Sequence, residues 1–196
     1  MDRKTILEQI RKNCPEPADL PGIPTFHHKS PDENLEDDFS HMVLKMGGKI
    51  HHTHESVLAL WPAPEHQVYS NSRYLSIQGD IKSLQRPQDL AGLDLVFIDG
   101  EFGVAENGAI WIPDENLGHR ILPFITQHLA IFLDINEIVA NMHLAYRRLD
   151  LASMGYGVFI AGPSKTADIE QSLVIGAQGA RSLHVILKSS SDTKHE

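Results

Sequence analysis

The sequence predicts an α/β fold with three layers in α/β/α order and a mainly parallel sheet. Continuous apolar runs, typical of strands buried on both faces, occur at residues 95–98, within a strand predicted at 93–99, and at residues 109–112, 129–133 and 158–161. A segment whose apolar residues recur at helical spacing separates the last two of these runs, and a further helix is predicted after the run at residues 158–161. Because strands that alternate with helices favour parallel pairing, we expect a sheet covered by helices on both faces.

Composition is that of a globular protein, and it excludes several functions. Of the 196 residues, 41% are hydrophobic and 22% are charged, and the formal net charge is -9 without a basic block. Nucleic acid is therefore not expected as a partner. No apolar run approaches the roughly 20 residues of a membrane span, and the polar N-terminus lacks a signal-peptide pattern, so we expect a cytoplasmic protein.

The domain organisation follows from proline content and periodicity. Residues 1–30 combine a short amphipathic helix, with Ile6, Leu7 and Ile10 at helical spacing, and a proline-rich linker. Residues 31–188 form one domain, and the polar tail at residues 189–196 is expected to be disordered.

Within the domain, periodicity predicts most elements in turn. A helix begins at Leu35 and stops at Gly47, and a strand at residues 49–53 follows. A short helix at residues 55–60 and a weak strand at residues 67–70 come next. Further along, Asn136 is expected to cap a helix that continues to the region of Gly155.

Residues 157–187 are predicted to form a β-α-β unit. The strand at residues 158–161 ends at Gly162 and Pro163, and the alternating Leu183, Val185 and Leu187 predict a second, parallel strand. Between them, Ser164 and Thr166 stand where a helix cap is needed, and Asp168 and Glu170 would lie in the first helical turn.

The turn before this predicted helix has two interpretations. Backbone N–H groups of residues from Gly162 to Thr166, together with Lys165, could bind an anion at the helix N-terminus, with Ser164 and Asp168 beside it. A well-capped helix with a surface lysine explains the same residues. The Walker A and GxGxxG spacings are both missing, so no nucleotide fingerprint decides between the two.

An acidic, glycine-containing loop follows the strand that ends at Asp99. Glu101 and Glu106 lie in this loop, and Glu106 could act as a general base or a nucleophile. Asn107 and Gly108 are a strong turn signal, so a solvated turn leading into the strand at residue 109 is the favoured interpretation.

Histidines and cysteine set limits on metal and redox chemistry. The chain has 12 histidines, and His52 and His54 would alternate on one face of the strand predicted at residues 49–53. Solvated edge-strand histidines are favoured over a metal site, because no HExxH or deaminase signature is present. The single Cys14 cannot hold an iron-sulfur cluster, so another molecule must supply any redox centre.

Two stretches of the sequence resemble the LUD-domain family, the lactate-utilisation proteins of the LutC (YkgG) type. The family signature GPS(K/R)TADIE is matched by nine consecutive residues, 162–170, and continues at Leu173, Val174, Gly176, Gly179, Leu183 and Val185. GVAENGAI resembles the family segment (I/V)AETGT, and Leu122, Pro123 and His128 resemble its LP…H strand entry. Asn107 and Ala109 stand where the family has Thr, and Gln178-Gly179-Ala180 replaces His-Gly-Pro.

The resemblance implies a fold of the type shared with NagB, ribose-5-phosphate isomerase (RpiA) and CoA transferases. It also implies an accessory role in oxidising L-lactate to pyruvate, with iron-sulfur and LUD-containing partner subunits carrying the clusters. The alternative is a stand-alone enzyme or sensor for a small carboxylate, phosphate or CoA-type anion. In that case Gly162, Ser164, Lys165, Thr166 and Asp168 would hold the anion, with Glu101, Glu106, Asn107 and Gly108 on the opposite wall.

Overall fold

The computed structural model describes residues 2–15, 34–62, 66–77, 90, 92–150, 155–169 and 172–189. The helices are α1 Arg3–Lys12, α2 Leu35–Lys45, α3 His54–Leu58, α4 Asp114–Leu117, α5 Leu122–Ile125 and α6 Met142–Arg148. The strands are β1 Lys49–His51, β2 Val68–Ser70, β3 Leu95–Asp99, β4 Phe102–Val104, β5 Ala109–Pro113, β6 His128–Asp134, β7 Ile138–Val139, β8 Gly157–Ile160, β9 Lys165–Ile169, β10 Ser172–Ile175 and β11 Ser182–Lys188.

A parallel sheet of five strands forms the centre of the fold. Its order is β1-β11-β6-β3-β2, and all four neighbouring pairs are parallel. The longest pairing aligns Ser182 with His128 and Lys188 with Asp134. The interior residues of β6 and β11 are buried, as expected for strands covered on both faces. The predicted α/β fold with a mainly parallel sheet is confirmed.

Different elements pack against the two faces of this sheet. The larger core joins one sheet face to α2, through Phe39 and Val43, and to β5, through Ile110 and Ile112. The smaller core lies on the other face, where Val57 of α3 packs with residues of β3, β6 and β11. Because successive side chains of a strand point to opposite faces of the sheet, each central strand contributes residues to both cores.

A second sheet, of four strands in the order β7-β4-β5-β8, was not predicted as a unit. The strands β4 and β5 form an antiparallel hairpin, and β8 extends it antiparallel to β5. Phe102, Val104 and Trp111 on its outer face pack with Ala145 of α6. This arrangement places the acidic loop predicted after Asp99 inside a hairpin rather than in an open loop.

The predicted β-α-β unit is wrong. Lys165 to Ile175 forms an antiparallel hairpin of β9 and β10, in which Thr166 pairs with Val174 and Ile175 with Lys165. The expected helix cap at Ser164 and Thr166 therefore does not exist. Thr166, Ile169, Val174 and Ile175 are β-branched, which favours strands over helices. The flanking strands also belong to different sheets, because β8 lies in the second sheet and β11 in the central sheet.

The predicted start of a helix at Asn136 is also wrong. A 3-10 turn at Ile135–Glu137 and strand β7 come first, and α6 begins at Met142 with Asn141 as its cap. The Asn141 side chain accepts a hydrogen bond from the Leu144 N–H at 3.1 Å. Ile138 and Val139 instead pair with β4, which uses their β propensity.

The remaining predicted elements are confirmed where the structure describes them. These are α1, α2, α3 and the strands β1, β2, β3, β5 and β6, although β1 ends at His51, before the predicted boundary. The proline-rich linker, Glu170 and most of the polar tail lie outside the described residues. Helix α6 ends at Arg148, before the predicted end in the region of Gly155. In the described part of the chain, no helix is long and apolar enough to cross a bilayer.

Candidate functional site

The loop that carries Gly162, Ser164 and Lys165 packs against the C-terminal end of α2. The Lys165 ammonium donates a hydrogen bond to the Met46 carbonyl at 2.5 Å. Gly162 has a φ of +74°, and a Cβ at this position would lie 2.5 Å from the same carbonyl oxygen. A cation at the C-terminal end of a helix interacts favourably with its macrodipole, so this lysine caps α2.

The same loop is held on its other side by the segment before β11. The Ser164 N–H donates to the Ala180 carbonyl at 2.9 Å, and the Gly176 N–H donates to the Ser164 carbonyl at 3.0 Å. A cavity of about 270 Å³ lies here, and Gly162, Ser164, Lys165 and Gln178 are among its lining residues. Thr166 and Asp168 lie in β9.

Glu106, Asn107 and Gly108 form the turn of the β4-β5 hairpin. The Glu106 carboxylate accepts a hydrogen bond from the Met142 N–H at 2.9 Å, at the N-terminus of α6. The Asn107 side chain accepts from the Ala109 N–H at 3.0 Å, and Gly108 has a φ of +67°. The favoured turn interpretation is confirmed.

The two predicted site regions line different cavities. Glu106 lies with Asp38 and His41 in a cavity of about 410 Å³ beside the first half of α2. Lys165 contacts Met46 at the other end of this helix. Glu106 and Lys165 therefore line separate cavities beside the same helix. Their roles in ligand binding stay predictions.

A polar cleft lies where β2 and β3 end, at the carboxyl edge of the parallel sheet. Its volume is about 490 Å³, and we call it the Asp99 cleft; its lining includes Asn71, Ser72, Arg73, Asp99, Glu115 and Asn116. In open parallel sheets this edge is where ligands bind.

Buried hydrogen bonds fix the shape of the Asp99 cleft. Asp99 is 5% exposed, and its carboxylate accepts hydrogen bonds from the Ser72 hydroxyl and, at 3.0 Å, from the Arg73 N–H. The Asn116 amide donates to the Asp99 carbonyl at 3.1 Å, and the Asn71 amide donates to the Asn116 carbonyl at 3.0 Å. Three chain segments, at residues 71–73, 99 and 116, therefore hold one another in place around a single carboxylate.

The Arg73 guanidinium is the cation of this cleft. It is 69% exposed, and its Nε lies 3.6 Å from the Asp99 carboxylate. An exposed guanidinium can bind a ligand carboxylate through two parallel hydrogen bonds. Neighbouring amide and carboxylate groups of Asn116 and Glu115 can bind ligand hydroxyls.

A second cavity of about 390 Å³ adjoins the cleft and shares Arg73, Glu115 and Asn116 with it. Glu101 lines this cavity, so one of the predicted ligand-binding residues lies near the Asp99 cleft. Arg148 also lines it and pairs with Glu137 at 2.5 Å. The combined site contains two guanidinium groups, from Arg73 and Arg148, and five carboxylates. A ligand carboxylate would bind at a guanidinium group, whereas the protein carboxylates can accept hydrogen bonds from ligand hydroxyls.

Sequence reasoning missed Ser72, Arg73 and Asn116. The available signal was the polar run of residues 70–73 directly after the weak strand β2. The histidine pattern was also misplaced, because β1 ends at His51 and His54 begins α3. Among the residues that the structure describes, no group of three or more His, Cys, Asp or Glu side chains has metal-binding geometry.

The fold and this cleft define an α/β protein with a mainly parallel sheet and a polar site at its carboxyl edge. The chain belongs to the LUD domain family, whose model matches residues 33–187. A crystal structure of a DUF162 family protein from Deinococcus radiodurans has a similar fold, with a TM-score of 0.55 at 15% identity. That match covers 78% of this chain and 95% of the other. No functionally curated protein matches the sequence at a significant level.

Proposed function

We propose that this LUD-domain protein is a LutC-like accessory subunit in the oxidation of L-lactate to pyruvate. Membership of the LUD domain family supports this proposal. The oxidation removes two electrons and two protons from lactate, and iron-sulfur clusters on partner subunits take up the electrons. The lone Cys14 offers one thiolate, whereas such clusters are held by about four ligands, so this chain contributes binding and orientation.

The observation that carries the proposal is the position of Arg73 in the Asp99 cleft. A 2-hydroxy acid presents a carboxylate next to a hydroxyl group. The exposed guanidinium binds the carboxylate, and Asn116 or Glu115 binds the hydroxyl. Because Asp99 holds the Arg73 backbone at 3.0 Å, the cation is positioned before the ligand arrives.

Co-purification tests the assembly. The tagged full chain is recovered from its native host, and the eluate is assayed for iron and acid-labile sulfide. We expect cluster-bearing proteins to elute with it, and we expect deletion of the gene to abolish growth on L-lactate. A chain that purifies alone, with lactate growth intact after deletion, would contradict the proposal.

Calorimetric titration tests the binding step. L-lactate and pyruvate are titrated into the wild type, into Arg73→Ala and into Arg11→Ala, a matched control on the exposed helix α1. We expect Arg73→Ala to weaken binding at least tenfold, because it removes a charge-assisted hydrogen-bond donor pair. Equal affinity in all three proteins would remove Arg73 from the site.

A second candidate function is a stand-alone enzyme or sensor that binds a small carboxylate, phosphate or CoA-type anion. The cavity that Ser164 and Lys165 line favours it, because it lies apart from the Asp99 cleft. Thermal-shift measurements with organic acids, sugar phosphates and CoA esters distinguish the two sites. Stabilisation lost only in Lys165→Ala supports this function, and stabilisation lost only in Arg73→Ala supports the first.

A further inference from the structure

A row of hydrogen-bonded side chains crosses the sheet face that α3 covers, near the amino ends of β6 and β11. We call Ser56, His51, His184, Ser182 and His128, in this order, the histidine chain. Its contacts are Ser56 Oγ to His51 Nδ1 at 3.1 Å, His51 Nε2 to His184 Nδ1 at 2.9 Å, His184 Nε2 to Ser182 Oγ at 3.0 Å and Ser182 Oγ to His128 Nδ1 at 2.7 Å. The three rings come from β1, β11 and β6, which are neighbours in the sheet.

The donor and acceptor of every hydrogen bond in the histidine chain follow from the bond that Ser56 donates at one end. The Ser56 hydroxyl donates its hydrogen to the Thr53 carbonyl at 2.7 Å, so Ser56 Oγ accepts from the His51 Nδ1–H. A neutral His51 then accepts at Nε2 from the His184 Nδ1–H.

The same reasoning continues to the other end. His184 Nε2 accepts the Ser182 hydroxyl hydrogen, and Ser182 Oγ accepts from the His128 Nδ1–H. With three neutral rings, this is the one arrangement that places a single hydrogen in every contact. All three histidines are therefore Nδ1–H tautomers.

The histidine chain can bind one additional proton without losing a hydrogen bond. His128 Nε2 is the one ring nitrogen that takes part in no contact within the chain. A proton that binds there can move its charge to His184 or His51 when the hydrogens shift across the intervening contacts, and each contact still holds one hydrogen. A second proton would place two hydrogens in one contact and break it.

We propose that the histidine chain is a proton-binding site, which takes up one proton, shares it among three rings, and opens when a second proton binds. Ser56 belongs to α3 and His51 to the edge strand β1, so the chain ties both elements to the centre of the sheet. Opening would release them.

Charged and titratable neighbours set the range of pH for this site. They are Lys49 and His52 beside His51, Arg181, Asp94 and His66 beside His128, and His54 and Glu55 on α3, which packs on β1. Burial, with His51, Lys49 and His128, lowers the pKa of His184 to about 3. Burial also lowers the pKa of His51 and of His128, so proton uptake falls below the ordinary histidine range near 6.5.

Nitrogen NMR of the full chain, labelled with ¹⁵N in its histidine rings, tests the proposal. At pH 7.5 we expect Nδ1–H tautomers at all three positions, although free histidine prefers Nε2–H. On acidification the three rings should titrate together, with a shared first midpoint below pH 6.5.

Ser182→Ala is the decisive variant, and Ser76→Ala, at an exposed serine that does not belong to the histidine chain, is its control. Loss of the Ser182 hydroxyl should separate the midpoint of His128 from that of the other two rings, while the control keeps the shared midpoint. An Nε2–H tautomer at His51 or His184 in the wild type overturns the proposal. So does a wild-type His128 that already titrates at a midpoint of its own. Should Ser182→Ala fail to fold, Ser56→Ala, which should change the His51 tautomer, takes its place.

Discussion

The buried carboxylate of Asp99 organises the candidate site at the scale of single residues. It accepts hydrogen bonds from Ser72 and Arg73 and lies beside the Arg73 guanidinium, so both oxygens have partners inside the protein. The Asp99 carboxylate therefore holds ligand-binding groups in place and is not itself the group that binds the ligand.

Asp99→Asn should destabilise the fold and loosen the cleft. The amide keeps the shape but replaces one acceptor by a donor that faces the Ser72 hydroxyl or the Arg73 N–H, at a cost of about 1–3 kcal/mol. Urea unfolding measures this cost as a change in the free energy of unfolding. Glu8→Gln on the exposed helix α1 is the charge-matched control. An unchanged urea midpoint would show that this carboxylate is not structural.

Lys165 provides a second test at this scale, because a substitution there shows whether the lysine caps helix α2 in addition to any role in anion binding. Lys165→Met keeps the aliphatic stem but removes the charge and the hydrogen bond to Met46, so we expect a loss of about 0.3–1 kcal/mol in unfolding free energy. Lys4→Met, in the exposed first turn of α1, is the control for the same substitution, because a cation at that end of a helix gains nothing from the macrodipole. Full stability in Lys165→Met would leave the capping role without support.

At the scale of elements, helix α2 connects the two family-like segments. The turn of the β4-β5 hairpin packs against its C-terminal half, where a Cβ on Gly108 would lie 2.8 Å from the Val43 nitrogen. The loop at Gly162 packs against its C-terminal end. The segments that resemble the family signature therefore hold one helix on the sheet, whatever ligand they also bind.

Gly108→Ala should be strongly destabilising. Its φ of +67° disfavours any side chain, and the added methyl group would overlap the α2 backbone. We expect a loss of about 2–4 kcal/mol, seen as a lower thermal midpoint. Gly155→Ala is a matched control, because a Cβ there meets no atom within 4 Å. Comparable melting of the two variants would contradict the close packing.

Elements were predictable where local pattern and tertiary packing agree. Helix α2 shows both an apolar stripe and a glycine stop, and it forms as predicted. The segment after Ser164 shows capping residues, yet its β-branched residues pair with one another as a hairpin. The helix start predicted at Asn136 is wrong for a similar reason, because β7 pairs with a strand more than thirty residues earlier in the chain.

At the scale of the whole molecule, the candidate site depends on contacts that no local pattern contains. Asn71 and Asn116 are 45 residues apart in sequence, and Arg73 and Asp99 are 26 apart. The parallel sheet could be predicted, since its strands are continuous apolar runs. Which polar residues meet at its edge depends on strand order, and the sequence pattern does not determine that order.

The histidine chain makes the stability of the whole fold depend on pH. The pKa values of His51, His128 and His184 lie below those of the unfolded chain, near 6.5, so the unfolded state binds more protons in mild acid. Their contribution is present above pH 6.5 and is lost as pH falls toward the folded pKa values, about 3 for His184.

Between pH 7.5 and 5.5 the unfolding free energy should therefore decrease, by at most about 1.4 kcal/mol per pH unit for each buried ring and less after solvent screening. Urea titrations at each pH measure the slope. His128→Gln should reduce this slope because one of the rings with a lowered pKa no longer titrates. A wild-type slope of zero would mean that the folded and unfolded chains bind equal numbers of protons, and stability that rises on acidification would mean that the folded chain binds more. Either result would contradict the lowered pKa values of the rings.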